Sequence, residues 1–578
     1  MVFDSSETWR SRPIRSARPM RIICIGAGAS GLLFAYKLQR SFEDFTLTLY
    51  EKNPDIAGTW FENRYPGCAC DIPAHTYTWS FHPKNDWSSV YAGSKEIHKY
   101  FKDFCDQFEL EKYIKLNHKV SKAVWDESQG LWNIAVHNGH SNTLEKAQCD
   151  ILINATGILN DWEWPAIPGL DSFSGPKLHS AAWDESIVLK GKHVGLIGNG
   201  SSGIQILPAI LPSVRRLTTF IREPTWVAPV QGLEARTYSA KEKLDFATQP
   251  ETLLQYRKEI EHSLNSQFAI FLSNSTTQKE TRAHMESQMK SKLQNTTLGP
   301  LLIPNWSVGC RRLTPGVNYL ESLSNEKVTV VYGDIDCISP KGCITSDGVE
   351  HAIDVLVCAT GFNTSFQPRF PIIGLAGKSL KDHWATDPAA YLGLAAAGFP
   401  NYFFFLGPNC PVGNGPVLVA IEAQADYMLK MIDRWQTENM HSFSPKEVAV
   451  QDFVDFTANF MIDTVWNQEC RSWYKKGSAS GRVSALWPGS TLHYLEAMSV
   501  VRADDWDIRY RGNRFTWLGI GFSQTEVNST ADLAYYIRNR DDSPYLGFAK
   551  QLKAINTSDT RAARSGINIM IQTEKPRI

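Results

Sequence analysis

The chain repeats one short pattern twice: an apolar strand, a turn of the form G-x-G-x-x-G, a helix and a second strand. The first copy runs through RIICIG (21–26), Gly26-Ala27-Gly28-Ala29-Ser30-Gly31, a helical pattern to about Arg40, and TLTLYE (46–51). The second runs through HVGLIG (193–198), Gly198-Asn199-Gly200-Ser201-Ser202-Gly203, a helix over 201–211, and LTTFIR (217–222). The first glycine of such a turn permits the sharp reversal. The second lets the main chain approach a pyrophosphate, and the third lets helix and strand pack closely. The helix start then offers unpaired N–H groups to an anion. Used twice, the pattern predicts an α/β chain with two doubly wound, Rossmann-like dinucleotide-binding domains.

The residue closing each second strand separates the two sites. Glu51 ends the first, and a carboxylate there accepts hydrogen bonds from the ribose diol of an unphosphorylated adenosine, as in FAD. Arg222 ends the second, where a guanidinium pairs with the 2′-phosphate of NADPH. The other reading of Arg222 is a surface charge paired with adjacent Glu223.

The length of 578 residues exceeds one hydrophobic core. Residues 1–158 read as the first part of an FAD domain and 159–363 as an NADPH domain. A Gln-, Lys-, Glu- and Ser-rich stretch at about 232–300 reads as a helical insertion in the second domain. DVLVCATGF (354–362) returns the chain, and 364–578 completes the FAD domain with a control loop at about 466–490. From 502 onward the sequence is polar and reads as a surface-wrapping tail. A net charge of -1 gives no reason to expect nucleic acid or an anionic membrane as partner. No apolar run approaches the ~18 residues of a spanning helix, and Met1–Met20 does not read as a secretory leader. Eleven scattered cysteines argue against a disulfide framework and for a reducing, cytoplasmic compartment. Cys68-Ala69-Cys70 lacks a second ligand pair, so no metal site is expected. The chain is expected to be a monomer.

Between the two turns lies Phe173-Ser174-Gly175-Pro176-Lys177-Leu178-His179-Ser180-Ala181-Ala182-Trp183-Asp184. It resembles the fingerprint of type I Baeyer–Villiger monooxygenases, F-x-G-x-x-x-H-x-x-x-W-(P/D). Trp183-Asp184 favours this branch over sister flavin monooxygenases that oxidise amine nitrogen or sulfide sulfur, the alternative reading. The resemblance implies that NADPH reduces FAD and that O2 then gives a C4a-peroxyflavin. That species inserts one oxygen beside the carbonyl of a small-molecule ketone, giving an ester or lactone.

It also implies roles. Arg312, in Arg311-Arg312-Leu313, takes the catalytic place, with Asp71 behind it to hold and tune the guanidinium. Arg311 stands with Arg222 at the 2′-phosphate. On the flavin side the resemblance implicates Gly26, Gly28, Ala29, Ser30, Gly31, Glu51, Lys52, Gly58-Thr59-Trp60, Asp71, Tyr77, Val120, Ala155-Thr156-Gly157 and Val417. The NADPH side takes Gly198 through Gly203, Arg222, Arg311 and Trp473, whose loop closes over the nicotinamide. Ala155-Thr156-Gly157 and Ala359-Thr360-Gly361 read as two hinge crossings, and His179 as an organiser of the linker. The Gly-rich stretch Asn409 to Pro416 departs from better-studied members, so substrate preference does not carry over.

Overall fold

A computed structural model describes residues 11–227, 234–293 and 297–541. Residues 17–517 form one compact unit; 11–16 with 518–541 belong to a second. In the first unit lie two five-stranded sheets, each parallel throughout. One runs Tyr402–Phe404, Ile151–Asn154, Met20–Ile25, Phe45–Tyr50, Ile114–Lys115. The other runs Val328–Tyr332, Arg216–Ile221, His193–Ile197, Val355–Cys358, Lys177–His179. In Met20–Ile25 every residue but Arg21 is buried, as a parallel strand covered on both faces requires. Arg21 reaches Asp150 with two hydrogen bonds, at 3.0 and 2.9 Å.

The helices after the glycine turns span Ala29–Ser41 and Ser201–Ile210. Three helices, Ala240–Thr248, Pro250–Asn265 and Thr276–Leu293, fill most of the stretch read as a helical insertion. The first starts on a capping box between Ser239 and Glu242, and the second has proline in its first turn. Arg257 fastens the insertion to the first fold. It donates to the carbonyls of His75 at 3.0 Å, Trp79 at 3.0 Å and Ser80 at 3.2 Å, and to Thr78 Oγ1 at 3.1 Å. Residues 228–233, at the front of the insertion, lie outside the described residues.

Two features depart from the sequence reading. The polar stretch from 502 is not tail throughout. Trp506–Tyr510 pairs antiparallel with Met440–Pro445. Buried Trp506 packs against Tyr391, Phe403 and Phe443, and its Nε1 donates to Tyr427 Oη at 3.2 Å. One indole with a satisfied N–H holds a segment whose average polarity suggested none. Residues 518–541 are largely exposed, and 542–578 lie outside the described residues.

The second departure is a disulfide. Cys310 and Cys470, 160 residues apart in sequence, are bridged with their Cα atoms 6.4 Å apart. Spacing could not suggest it, because the fold alone brings the two together. The nine other cysteines are free, and all but Cys337 are buried. No helix among the described residues is long and apolar enough to cross a membrane.

Candidate active site

The two turns are built alike. Gly26 sits at φ +106, and a Cβ there would lie 2.6 Å from the Ala155 carbonyl oxygen. Gly198 sits at φ +105, and its Cβ would lie 2.5 Å from that of Ala359. Each first glycine is therefore demanded twice, by backbone conformation and by the neighbouring strand end. The third glycines, Gly31 and Gly203, would each drive a Cβ to within 2.0 and 2.1 Å of the first glycine's own carbonyl.

The second glycines differ. At Gly200 no described atom lies within 4 Å of an added Cβ, and at Gly28 the nearest is Gly58 Cα at 3.7 Å. No described part of the protein requires glycine there; a ligand approaching the main chain would. Gly28 and Gly200 are also the N-caps of their helices, and neither provides a side-chain cap for the first-turn N–H groups. Open space over a glycine with uncapped N–H groups fits a pyrophosphate in both turns. Gly58, at φ +50, comes against the first turn; its Cβ would lie 3.2 Å from Gly28 Cα. The short helix Thr59–Glu62 follows, and Trp60 Nε1 donates to Tyr77 Oη at 3.2 Å.

Glu51 is 4% exposed. Its carboxylate accepts from the N–H groups of Ala27 and Asn53, each at 2.9 Å. Burial pushes its pKa up, and those two donors oppose the shift. Each oxygen keeps a lone pair for a ribose hydroxyl. Lys52 turns outward to Glu62 at 2.8 Å. Val120 is buried in a sheet where His118–Asp126 pairs antiparallel with Leu131–Asn138, beside a register shift between Val120 and Lys122. Its side chain belongs to a core, leaving its main chain to meet any ligand. Val417 opens the helix Val417–Thr437, whose N-cap Pro416 has no side-chain bond. Ala155-Thr156-Gly157 follow the strand Ile151–Asn154, and Arg369 donates to the carbonyls of Thr156 at 3.1 Å and Gly157 at 2.9 Å. Nothing near Arg369 in sequence announces this clamp.

Asp71 and Arg312, 241 residues apart, meet in a bidentate pair: Nε to Oδ2 at 2.8 Å and the terminal nitrogen to Oδ1 at 2.8 Å. Asp71 raises the Arg312 pKa well above its ordinary value, outweighing burial. The fork fixes both the charge and the plane of the guanidinium. Tyr474 lies close enough to Arg312 for the two to interact electrostatically, and burial pushes its own pKa up to about 12, so its ring is a neutral phenol there. The loop bearing Trp473 is thus folded down beside this pair. Trp473 opens the one-turn helix Trp473–Lys475, where Ser472 caps the Tyr474 N–H, and meets the Tyr474 ring edge-on at 4.7 Å.

The stretch leading to Asp71 is keyed to the second fold by Gln205, on the helix Ser201–Ile210. Gln205 Oε1 accepts from Tyr65 Oη at 2.9 Å, and Gln205 Nε2 donates to the Ala69 carbonyl at 2.9 Å. At Gly67, φ +81, a Cβ would lie 2.5 Å from the Gln205 carbonyl oxygen. Ser201 Oγ bonds Thr314 Oγ1 at 3.0 Å, tying the second turn to the Arg312 segment. Neither Gln205 nor Thr314 stands out in the sequence.

At the end of the second nucleotide strand, Arg222 is exposed. Glu223 is not its partner: the carboxylate binds Arg311 and also lies 3.6 Å from Arg471. The pairing reading of Arg222 is therefore corrected. Asn199 donates to the Glu223 carbonyl at 2.9 Å, joining this cluster to the second turn.

His179 is 1% exposed. Its Nδ1 accepts from the Ala181 N–H at 3.1 Å, so Nε2 carries the proton toward Thr360 Oγ1 at 3.2 Å. The ring stacks on Trp162 at 4.5 Å. Burial lowers its pKa to about 4 from 6.5. Between those values the unfolded chain binds a proton that the folded chain refuses. The stability of the neutral ring is complete above pH 6.5 and is lost as pH falls toward 4. His179→Gln is expected to flatten the fall of Tm across that window; an unchanged slope would show that this ring titrates normally in the fold.

Two nucleotide turns on two parallel sheets, with an arginine–carboxylate fork joining distant segments, define a two-dinucleotide flavoprotein oxidoreductase. Residues 24–93 match the family described as NAD(P)-binding Rossmann-like domain. The FAD-binding monooxygenase tazF of Aspergillus terreus is 39% identical over 541 residues, covering 91% of this chain and 96% of that protein. A Baeyer–Villiger monooxygenase of Streptomyces coelicolor is 33% identical over 82% of this chain and 90% of its own length. The crystal structure of cyclohexanone monooxygenase from Rhodococcus sp. Phi1 bound to NADP+ superposes with a TM-score of 0.74 at 26% identity, over 86% of this chain and all of that one. The chain belongs to the type I Baeyer–Villiger branch of the FAD-binding monooxygenases. It is a flavin monooxygenase, and FAD and NADPH are its cofactors.

Proposed function

We propose that this chain binds FAD at the Gly26–Gly31 turn and NADPH at the Gly198–Gly203 turn and inserts one atom of O2 beside a ketone carbonyl, giving an ester or lactone. The division into an FAD domain (1–158 and 364–578) and an NADPH domain (159–363) is part of this reading. The observation that carries it is the fork between Arg312 and Asp71, with two bonds of 2.8 Å.

When bound, the cofactors supply hydride and the activation of O2. The chain's part is to hold and aim. Glu51 receives the adenosine ribose, and the N–H groups opening the helices Ala29–Ser41 and Ser201–Ile210 receive the two pyrophosphates. Arg312 presents a permanent cation where negative charge develops on oxygen during insertion, and Asp71 keeps it from reorienting. Arg never gives up its proton at working pH, so it stabilises charge without acting as an acid. Trp473 and Tyr474 close one side and exclude water that would divert the activated oxygen to hydrogen peroxide.

The test is to incubate the FAD-loaded enzyme with NADPH, O2 and a panel of linear and cyclic ketones, following esters and lactones by mass. No oxygenated product from any ketone, with NADPH still consumed, would overturn the reading. Arg222→Ala separates the two nicotinamide cofactors. It is expected to raise KM for NADPH by about tenfold or more and leave KM for NADH nearly unchanged. An equal rise for both would remove Arg222 from the 2′-phosphate site.

A further inference from the structure

Three dipeptides converge at the end of the second nucleotide strand. Arg222-Glu223 lies on the strand exit, Cys310-Arg311 precedes the catalytic arginine, and Cys470-Arg471 precedes Trp473. The Cys310–Cys470 bridge joins the last two, so each cysteine presents the arginine that follows it to the same carboxylate, Glu223. Arg311 binds Glu223 and donates to the Pro224 carbonyl at 3.2 Å, with its guanidinium 4.7 Å from the Trp306 ring centre. Its Nε is buried with no hydrogen-bond partner among the described residues. Arg471 stands off at 3.6 Å and its side chain is 46% exposed. Two guanidiniums face the carboxylate and Arg222 adds a third positive charge close to Arg311, and the excess of two positive charges matches a phosphate monoester, about −1.5 to −2 at neutral pH. Lys475 is already committed to the carbonyls of Gln468 and Ala479. Burial first, and then the nearby charges of Arg222 and Arg471, lower the Arg311 pKa to about 10.

We infer that Arg471 is a third ligand for the 2′-phosphate of NADPH, carried on the loop of Trp473 and held beside Arg311 by the Cys310–Cys470 disulfide, with Glu223 holding its place until the nucleotide arrives. This rests on the reading of the second turn as the NADPH site. It adds a specificity residue outside the NADPH domain (159–363). Phosphate binding then draws on the same loop that covers Arg312, so recognition of the adenosine end and closure at the reacting end are coupled through Arg471-Ser472-Trp473. Glu223 opposes the phosphate, which sets the sign of its own substitution.

The test uses full-length, FAD-loaded protein and two probes, 2′,5′-ADP and 5′-AMP, titrated by calorimetry. The wild type should bind 2′,5′-ADP more than about tenfold more tightly than 5′-AMP. If it does not, the NADPH reading itself fails. If it does, Arg471→Ala should weaken 2′,5′-ADP by about five- to tenfold with 5′-AMP unmoved, and Glu223→Gln should strengthen 2′,5′-ADP several-fold. A merely structural Arg471 would move both probes together or neither, and either result overturns the inference. Dithiothreitol should reproduce part of the Arg471→Ala loss in the wild type. Its two thiols become a cyclic disulfide as the Cys310–Cys470 bond opens to two protein thiols. Cys470→Ser should start weaker and no longer respond. An Arg471 effect with no response to dithiothreitol would overturn the role given to the bridge.

Discussion

Arg312→Ala is expected to leave reduction of the flavin by NADPH largely intact while lowering ester formation by about 10²–10³-fold, the loss seen when one preorganised charge-stabilising group is removed. NADPH consumption should continue and appear as hydrogen peroxide, because O2 would still be activated with no cation to aim it. The size of the effect follows from the fork. Both Asp71 oxygens are engaged at 2.8 Å, so the guanidinium cannot swing away to find solvent. Removing it also leaves Asp71 with a side chain only 18% exposed and no counter-charge, which disfavours an anion beside the reacting oxygen. Arg312→Lys should recover only part of the rate, since an ammonium is a point charge and cannot make the two parallel bonds. Ester formed by Arg312→Ala at the wild-type rate would remove this residue from the chemistry altogether.

The second large effect separates two glycines of one turn. Gly200→Ala is expected to fold normally, because its backbone is extended at φ −75 and no described atom stands within 4 Å of the new methyl. NADPH affinity should nevertheless fall by about 100-fold or more, since the methyl occupies the path of the pyrophosphate toward the main chain. Gly198→Ala should do the reverse of sparing the fold. Its φ of +105 excludes a side chain, and the Cβ would sit 2.5 Å from the Ala359 carbonyl oxygen. A drop in Tm of several degrees, or loss of soluble protein, is expected there. Calorimetric titration of NADP+ alongside thermal unfolding reads both. If Gly200→Ala binds NADP+ as the wild type does, the turn is not its site.

The two nucleotide folds were legible because the pattern is short-range and rigid: strand, turn, helix and strand lie within about 30 residues, and glycine is imposed by sterics. The resemblance also pointed to Asp71 as the residue behind Arg312, although residue spacing alone could not have paired them. What stayed hidden is what only three-dimensional neighbours define. The sheet of His118–Asp126, Leu131–Asn138 and Thr143–Cys149 mixes buried and exposed residues without clean alternation, and its fourth strand, Ile372–Ile373, is two residues long. Trp506 is one buried aromatic in a polar stretch. Arg369, Gln205 and the Cys310–Cys470 bridge act through partners more than 130 residues away, so no local signal marks them. Glu223 was read against its chain neighbour, whereas its partners arrive from two other segments.

Gln205 has a mechanical consequence. Its bonds to Tyr65 and Ala69, with Gly67 pressed against its own carbonyl, pin one side of the strip leading to Asp71 to the helix Ser201–Ile210, while the Cys70 N–H donates to the Ala92 carbonyl at 3.0 Å and pins the other side to the first fold. Thr314, bonded to Ser201, ties the Arg312 segment to the same helix. The Asp71–Arg312 fork is therefore braced from both folds, and a change at Gln205 or Thr314 should disturb it without touching either residue.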